Sequence, residues 1–405
     1  MAFSPKVTSL NVLTPNMKIE LAQPLPIDQP VDLAQPLPAS ATRVKSEDGT
    51  FAVQRYRFTT GKRADVELLV IDSGRVRAAI SPTRGLSLWR ANIDGLDCSW
   101  RSPIDGPIHP QYVPLSEPNG LGWLDGFDEL LVRCGLQSFG APDFHKNGQL
   151  KYPLHGRIGN QPAANWSVNL DAEHSLLEVR GEVHETRFLQ FNLRMTVSYR
   201  FSFGQPTIDV VDTVKNASDT DTTMQLLYHI NIGSPLLEGG ATMHFASKRI
   251  VARDLHAADD LATWPTYLSP TSGYVEQVYF SSPTACADGW ATALLASKDR
   301  SRGFAVHYKP DTLPYFSQWK NTVGVADGYV TGLEPATGFP NPRTFEEEQG
   351  RVVPLAASQS VEFRVRLEGI HRGERISQLI GDLDKLRGGQ AEKVGFDAEW
   401  CIPRT

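Results

Sequence analysis

Strand follows strand along this chain with scarcely a helical segment between them, and no other feature restricts its fold so far. From Phe51 onward the runs DVELLVID, VRAAIS, LLEVRGEV, FNLRMTVSYRF, TIDVVDTVKN, ATALLAS, GFAVHY and VEFRVRLEGI are apolar or alternate apolar with polar residues. Clusters of Gly, Pro, Asn and Asp separate them. A period of two sends successive side chains to opposite faces of a sheet, and short connections suit antiparallel pairing. The exception lies near the C-terminus, where Ile376, Leu379, Ile380, Leu383 and Leu386 share one helix face and Gly388-Gly389 ends the run. Strands without crossover helices must bury their apolar faces against each other. The expected fold is therefore all-β, a large antiparallel β-sandwich with a short C-terminal helix.

The first residues behave differently. LAQPLP occurs at Leu21–Pro26 and again at Leu33–Pro38, and prolines at this density favour extended backbone. Two copies are too few for a repeat architecture. The expected organisation is a proline-rich N-terminal arm over residues 1–42 and a single sandwich domain over 43–405. The arm is expected to lie as a loose wrap, or to dock on a neighbouring subunit. A chain of 405 residues with 40% hydrophobic content can build one large core.

Bulk charge narrows the partners. A formal net charge of -6 provides no broad basic face, which disfavours nucleic acid and anionic membrane. No segment approaches the ~20 apolar residues of a membrane span, and MAFSPKVTSLNVLTP lacks the pattern of a secretory leader, so a cytoplasmic location is expected. Cys98, Cys134, Cys286 and Cys401 form no CxxC pair and read as free buried thiols. The 10 histidines show no HxH or HExxH spacing, and neither a metal nor a cofactor is expected.

Three runs carry chemistry. LEPATGFPN puts Glu334 at a strand end whose continuation Pro335, Gly338 and Pro340 forbid, and a carboxylate held this rigidly and partly desolvated suits a general base. LHGRIGN holds His155 before a glycine. LLYHINIGSP puts His229 at the end of an apolar run, with Asn231 two residues on.

Together these runs resemble the active-site runs of galactose mutarotase and the wider aldose 1-epimerase superfamily, which carry LHGG-like, HPYFNL-like and LETQ-FPD-like runs in the same chain order. The resemblance covers roughly Val66 to Gly369. Arg157-Ile158 after His-Gly, Ile-Asn-Ile after the second histidine and Pro-Ala-Thr after the glutamate depart from the best-known members and mark a divergent branch. The resemblance implies a supersandwich fold and an isomerase that interconverts the anomers of an aldose by ring opening and closure. In that reading His229 is the acid, Glu334 the base, and His155 bonds the ring oxygen or a neighbouring hydroxyl.

Further residues are candidate substrate contacts. Arg84, in SPTRGLSL, could grip sugar hydroxyls or a substrate anion, or serve as a salt bridge or backbone clamp. Gln318, Trp319 and Lys320, in PYFSQWKN, stand where the superfamily places substrate contacts. Trp319 could stack on a pyranose and its neighbours could bond hydroxyls. Asn231 joins this set. In GWLDGFDELLVRCGL, two of Asp125, Asp128 and Glu129 could pair as in glycoside hydrolysis, although such clusters are usually solvated turns, and Asp125 is kept as a substrate contact. Glu346–Glu348 reads as an exposed loop. Two other functions remain open: a non-catalytic carbohydrate-binding protein of the same fold, and a polysaccharide hydrolase or lyase. The latter would need a long aromatic groove, and the tryptophans are scattered in sequence. The expected partner is a small sugar, with oligomerisation open.

Overall fold

The computed structural model describes residues 17–402. Two large sheets pack face to face. The smaller runs, in spatial order, through the strands Met17–Lys18, Ala164–Asp171, Leu176–Arg187, Phe191–Ser202, Thr207–Asn216, Ser360–Ile370, Gly303–Tyr308, Ala291–Ala296 and Thr242–Phe245. The larger carries at its centre the consecutive neighbours Ser87–Ile93, Leu131–Leu136, Thr222–Gly233, Val330–Ala336, Tyr315–Asn321 and Gln277–Ser281. Inward-facing residues of both sheets form one core, with Phe51, Ile71, Leu88, Tyr228, Ile230 and Leu333 from one side and Val179, Met195, Val210 and Leu367 from the other. The expected β-sandwich is the observed fold.

The alternation that predicts strands also sets what each face carries. Along Thr207–Asn216 the residues Ile208, Val210, Asp212 and Val214 are buried while their neighbours are half-exposed or exposed. Asp212 is tolerated there because Arg133 reaches it from the opposite sheet, with Nε donating at 2.5 Å and Nη2 at 3.0 Å. The hydroxyls of Tyr228 and Tyr199 complete the cluster. Removing one partner of such a buried pair costs about 3–5 kcal/mol, because the other charge is stranded.

The C-terminal helix, Gly373–Arg387, lays Ile376, Leu379, Ile380 and Leu383 against Leu294, Ala296, Ala305 and Ile370, and Gly388 ends it at φ 69°. Two shorter helices span Leu255–Asp259 and Arg343–Glu348. The second corrects the expectation of an exposed acidic loop in part, since Glu347 and Glu348 are exposed but the segment is helical. Glu346 is fully buried and holds Arg351 through both carboxylate oxygens at 2.7 Å.

Residues 1–16 of the expected arm lie outside the described residues. Residues 17–42 wrap the sandwich closely. Met17–Lys18 extends one sheet beside Asn169 and Leu170, and Leu25–Ile27 pairs in parallel with Tyr56–Phe58 of the other. Leu33 and Leu37 of the second LAQPLP copy pack against Tyr56, Leu68, Val70 and Trp89. Burying a leucine is worth about 1.5–3 kcal/mol.

Candidate functional site

Glu334 and His229 stand directly opposite each other on adjacent antiparallel strands, because the pairs Leu227–Ala336 and Ile230–Leu333 bracket them in register. The strand period puts Tyr228, Ile230 and Leu333 into the intersheet core and leaves Leu227, His229, Glu334 and Ala336 on the other face. There His229 Nε2 lies 3.3 Å from Glu334 Oε1. Gly332 makes room for them, since a Cβ at that position would come within 2.4 Å of Glu334 Oε1 and 3.2 Å of His229 Cε1. His155 joins from the loop after Leu150–Tyr152, in a left-handed backbone conformation (φ 56°). Gly156 behind it must be glycine, because a Cβ would meet Ser138 O at 2.1 Å.

Hydrogen bonds fix both imidazoles. His155 Nδ1 faces the Phe139 carbonyl at 2.8 Å, so it carries the proton and leaves Nε2 as an acceptor. Burial lowers the His155 pKa to about 4 against the opposing effect of that carbonyl, so the ring is neutral at physiological pH. His229 Nδ1 lies 2.6 Å from Asn231 Oδ1. Burial, and then His155, push His229 well below the usual histidine range. Burial, and then the nearby Glu276 carboxylate, push Glu334 up to about 8, with Arg253 opposing. Both shifts favour an uncharged pair in the free cleft, a neutral imidazole beside a protonated carboxyl. A charged pair would have to form among aromatic rings at a large desolvation cost.

The pair lies in a cleft of about 460 Å³. Trp123 packs 4.4 Å from the His155 ring and 4.5 Å from Phe127, and Phe127 lies 5.0 Å from His229. Trp319 covers the other side at 5.5 Å from His229. Trp319 Nε1 donates to Glu276 Oε2 at 2.7 Å, and Arg253 Nη1 donates to Glu276 Oε1 at 2.8 Å. Leu121 and Leu124 form an apolar part of the lining, while Ser102, Asn321 and Asp327 supply further polar groups. Among the described residues no group of three or more His, Cys, Asp or Glu is arranged to hold a metal ion.

The other expected contacts divide by strand face. Trp319 lines the cleft, whereas Gln318 and Lys320, one residue to either side, point away. Gln318 Nε2 donates to Tyr267 Oη at 2.9 Å, and Lys320 Nζ donates to the carbonyls of Trp264 and Thr266 at 3.1 and 2.8 Å. Neither lines the cleft. Arg84 is fully buried outside it, clamped to Glu129 Oε1 at 2.7 Å and to the carbonyls of Ile108 and Gly126, so its salt-bridge and clamp alternative is the observed one. Asn231 is also sealed and touches His229 instead of open space. Asp125 is exposed on a short 3-10 turn and is absent from the lining. Asp128 and Glu129 are buried beneath the surface, where Asp128 accepts from Trp89 Nε1 at 2.8 Å, so they are neither solvated nor placed as a hydrolytic pair.

Trp100, Trp123, Phe127, Arg253, Glu276 and Gly332 were not anticipated. Trp100, Trp123 and Trp319, scattered in sequence, converge in space. A glycine inside the VTGLEPA strand was the available signal for Gly332, since such glycines mark a close approach. Arg253 and Glu276 carry no local motif. All four cysteines are free, three of them buried and Cys286 exposed.

Comparison with known proteins agrees with this architecture. Residues 63–368 match the family described as "Domain of unknown function (DUF4432)". A "putative aldose 1-epimerase" from Klebsiella pneumoniae subsp. pneumoniae MGH 78578 is 30% identical, with 88% of this chain and 94% of that one covered and a TM-score of 0.84. A galactose mutarotase-like protein from Clostridium acetobutylicum shares the fold at 14% identity and a TM-score of 0.53, with 76% of this chain and 96% of that one covered. Among curated proteins none matches. The chain belongs to the DUF4432 family, a divergent branch of the galactose mutarotase-like, aldose 1-epimerase superfamily.

Proposed function

We propose that this cleft opens and closes the hemiacetal ring of an uncharged sugar, interconverting its anomers by proton exchange with His229 and Glu334. The observation that carries this reading is the face-to-face pair itself, with a donor and an acceptor 3.3 Å apart. A hemiacetal carbon bears two oxygens. Adjacent proton-transfer groups can therefore serve both in one bound pose, one taking the proton of the anomeric hydroxyl while the other gives a proton to the ring oxygen.

From the free state, His229 Nε2 accepts the hydroxyl proton as Glu334 protonates the ring oxygen, and the C1–ring oxygen bond breaks. Rotation about C1–C2 presents the other carbonyl face. Closure returns the proton from His229 to the carbonyl oxygen while Glu334 takes back the proton of the attacking hydroxyl, so the pair ends as it began. With Nδ1–H committed to Phe139, His155 can accept from a sugar hydroxyl through Nε2 but has no proton to offer the ring oxygen. The rings of Trp123, Phe127 and Trp319 suit the C–H face of a sugar.

Charge balance supports an uncharged substrate. Arg253 alone among the lining residues is Lys or Arg, and Glu276 and Asp254 already match it at 2.8 Å. Asp327 adds a carboxylate to the lining. Polarimetry or NMR anomer exchange across neutral, phosphorylated and acidic sugars tests the reading. Acceleration confined to neutral aldoses supports it, and acceleration of none rejects it.

A further inference from the structure

Asn231 is two residues beyond His229 on the same strand, fully buried, and its amide has only one workable orientation. Nδ2 donates to the Glu129 carbonyl at 2.9 Å and is 3.3 Å from the His229 carbonyl. Turning the amide over would set Oδ1 against two carbonyl oxygens, acceptor against acceptor. Oδ1 must therefore face His229 Nδ1, at 2.6 Å, as an acceptor. The Glu129 carbonyl is itself held in place. Trp100 Nε1 donates to it at 3.0 Å, and the Glu129 carboxylate is gripped by Arg84 Nε at 2.7 Å and Nη2 at 2.6 Å.

We infer that Asn231 is a positioning residue that locks His229 in the Nδ1–H tautomer and aims its Nε2 lone pair at Glu334, with the Arg84–Glu129 pair as the anchor of that lock. All proton exchange by His229 then passes through Nε2, and the ring cannot flip to offer Nδ1 to the cleft. The kinetic consequence rests on the proposed ring opening. The tautomer does not.

Imidazole nitrogen–proton NMR of the full-length protein at neutral pH tests the lock, with the His229 signals identified by their loss in His229→Gln. The wild-type protein is expected to show His229 protonated at Nδ1 and unprotonated at Nε2. Asn231→Leu removes the acceptor at similar volume, and the Nδ1–H share should fall, with only the Glu334 carboxyl beside Nε2 left to favour it. In the same variant kcat for anomer exchange should fall about 10- to 100-fold with KM nearly unchanged, because Asn231 touches no substrate. If Asn231→Leu does not fold, Asn231→Ser, whose hydroxyl is too short to reach Nδ1, takes its place. A wild-type His229 protonated at Nε2, or a variant whose His229 tautomer is unchanged, overturns the inference. A correct tautomer in a protein that accelerates no anomer exchange leaves the lock standing and rejects the functional reading instead.

Discussion

His229 and Glu334 meet because two antiparallel strands are in one particular register: shift Val330–Ala336 by a single residue against Thr222–Gly233 and Glu334 would turn into the intersheet core. The 3.3 Å approach is thus written into the ladder rather than into a loop, and it needs the missing side chain of Gly332 beside it. Rigid strands are suitable supports for groups that must be placed within a fraction of an ångström.

Gly332→Ala tests that packing. The new methyl would fall 2.4 Å from Glu334 Oε1, on a strand bonded at both edges, so the carboxylate must move. Turnover should drop about 10²-fold, the scale of a misplacement near 1 Å, in a protein that still folds. Thermal melting alongside kinetics would check it, and full activity would mean that the carboxylate position is not critical.

The pH profile follows from the single proton on the pair. Glu334, raised to about 8, loses that proton as pH climbs through this value, and His229, lowered well below 6.5, gains a second proton only at acidic pH. The free-protein profile of kcat/KM should accordingly be flat near pH 7, fall above about 8 and fall again on the acid side. The profile cannot tell which partner holds the proton, since both placements have the same total charge. Tautomer-sensitive NMR can.

The placement of these residues explains what the sequence could and could not disclose. Alternation along runs such as TIDVVDTVKN made the sandwich readable, and three runs in a known order made His155, His229 and Glu334 readable. Which face of a strand looks into the cleft was not readable from PYFSQWKN alone: Trp319 faces in, while Gln318 and Lys320 face the core. Sequence leaves Arg84 open between substrate contact and clamp and puts Asn231 among the contacts, because polar side chains near a site resemble one another in sequence whether they touch the ligand or hold what does. Arg253, Glu276 and the cleft tryptophans come from segments far apart in the chain, and only the fold gathers them.

Glu276→Gln should move the alkaline limb to lower pH. Glu276 is a negative neighbour that disfavours ionisation of Glu334, and its removal also frees Arg253 to favour the carboxylate, so both effects lower the Glu334 pKa. Trp319 loses a charged acceptor in the same change, which should raise KM. An unmoved limb in kcat/KM would show that Glu334 does not govern it.

Lys320→Met separates stability from chemistry. The ammonium, with its pKa lowered to about 8 by burial, bonds two carbonyls on the core side of the sheet. Leaving those carbonyls unpaired should cost about 1–3 kcal/mol in denaturant melts, with KM for sugar unchanged. A large KM increase would instead restore Lys320 as a substrate contact.

Anomer exchange in Glu334→Gln, followed by NMR under conditions where sugar binding to the same variant is measured, decides whether this carboxyl moves the proton. Glutamine keeps the size and most hydrogen bonding but cannot carry or return the proton. Binding should be retained, with an exchange rate lower by about 10² or more. Exchange at the wild-type rate in a folded, sugar-binding Glu334→Gln protein would contradict that role.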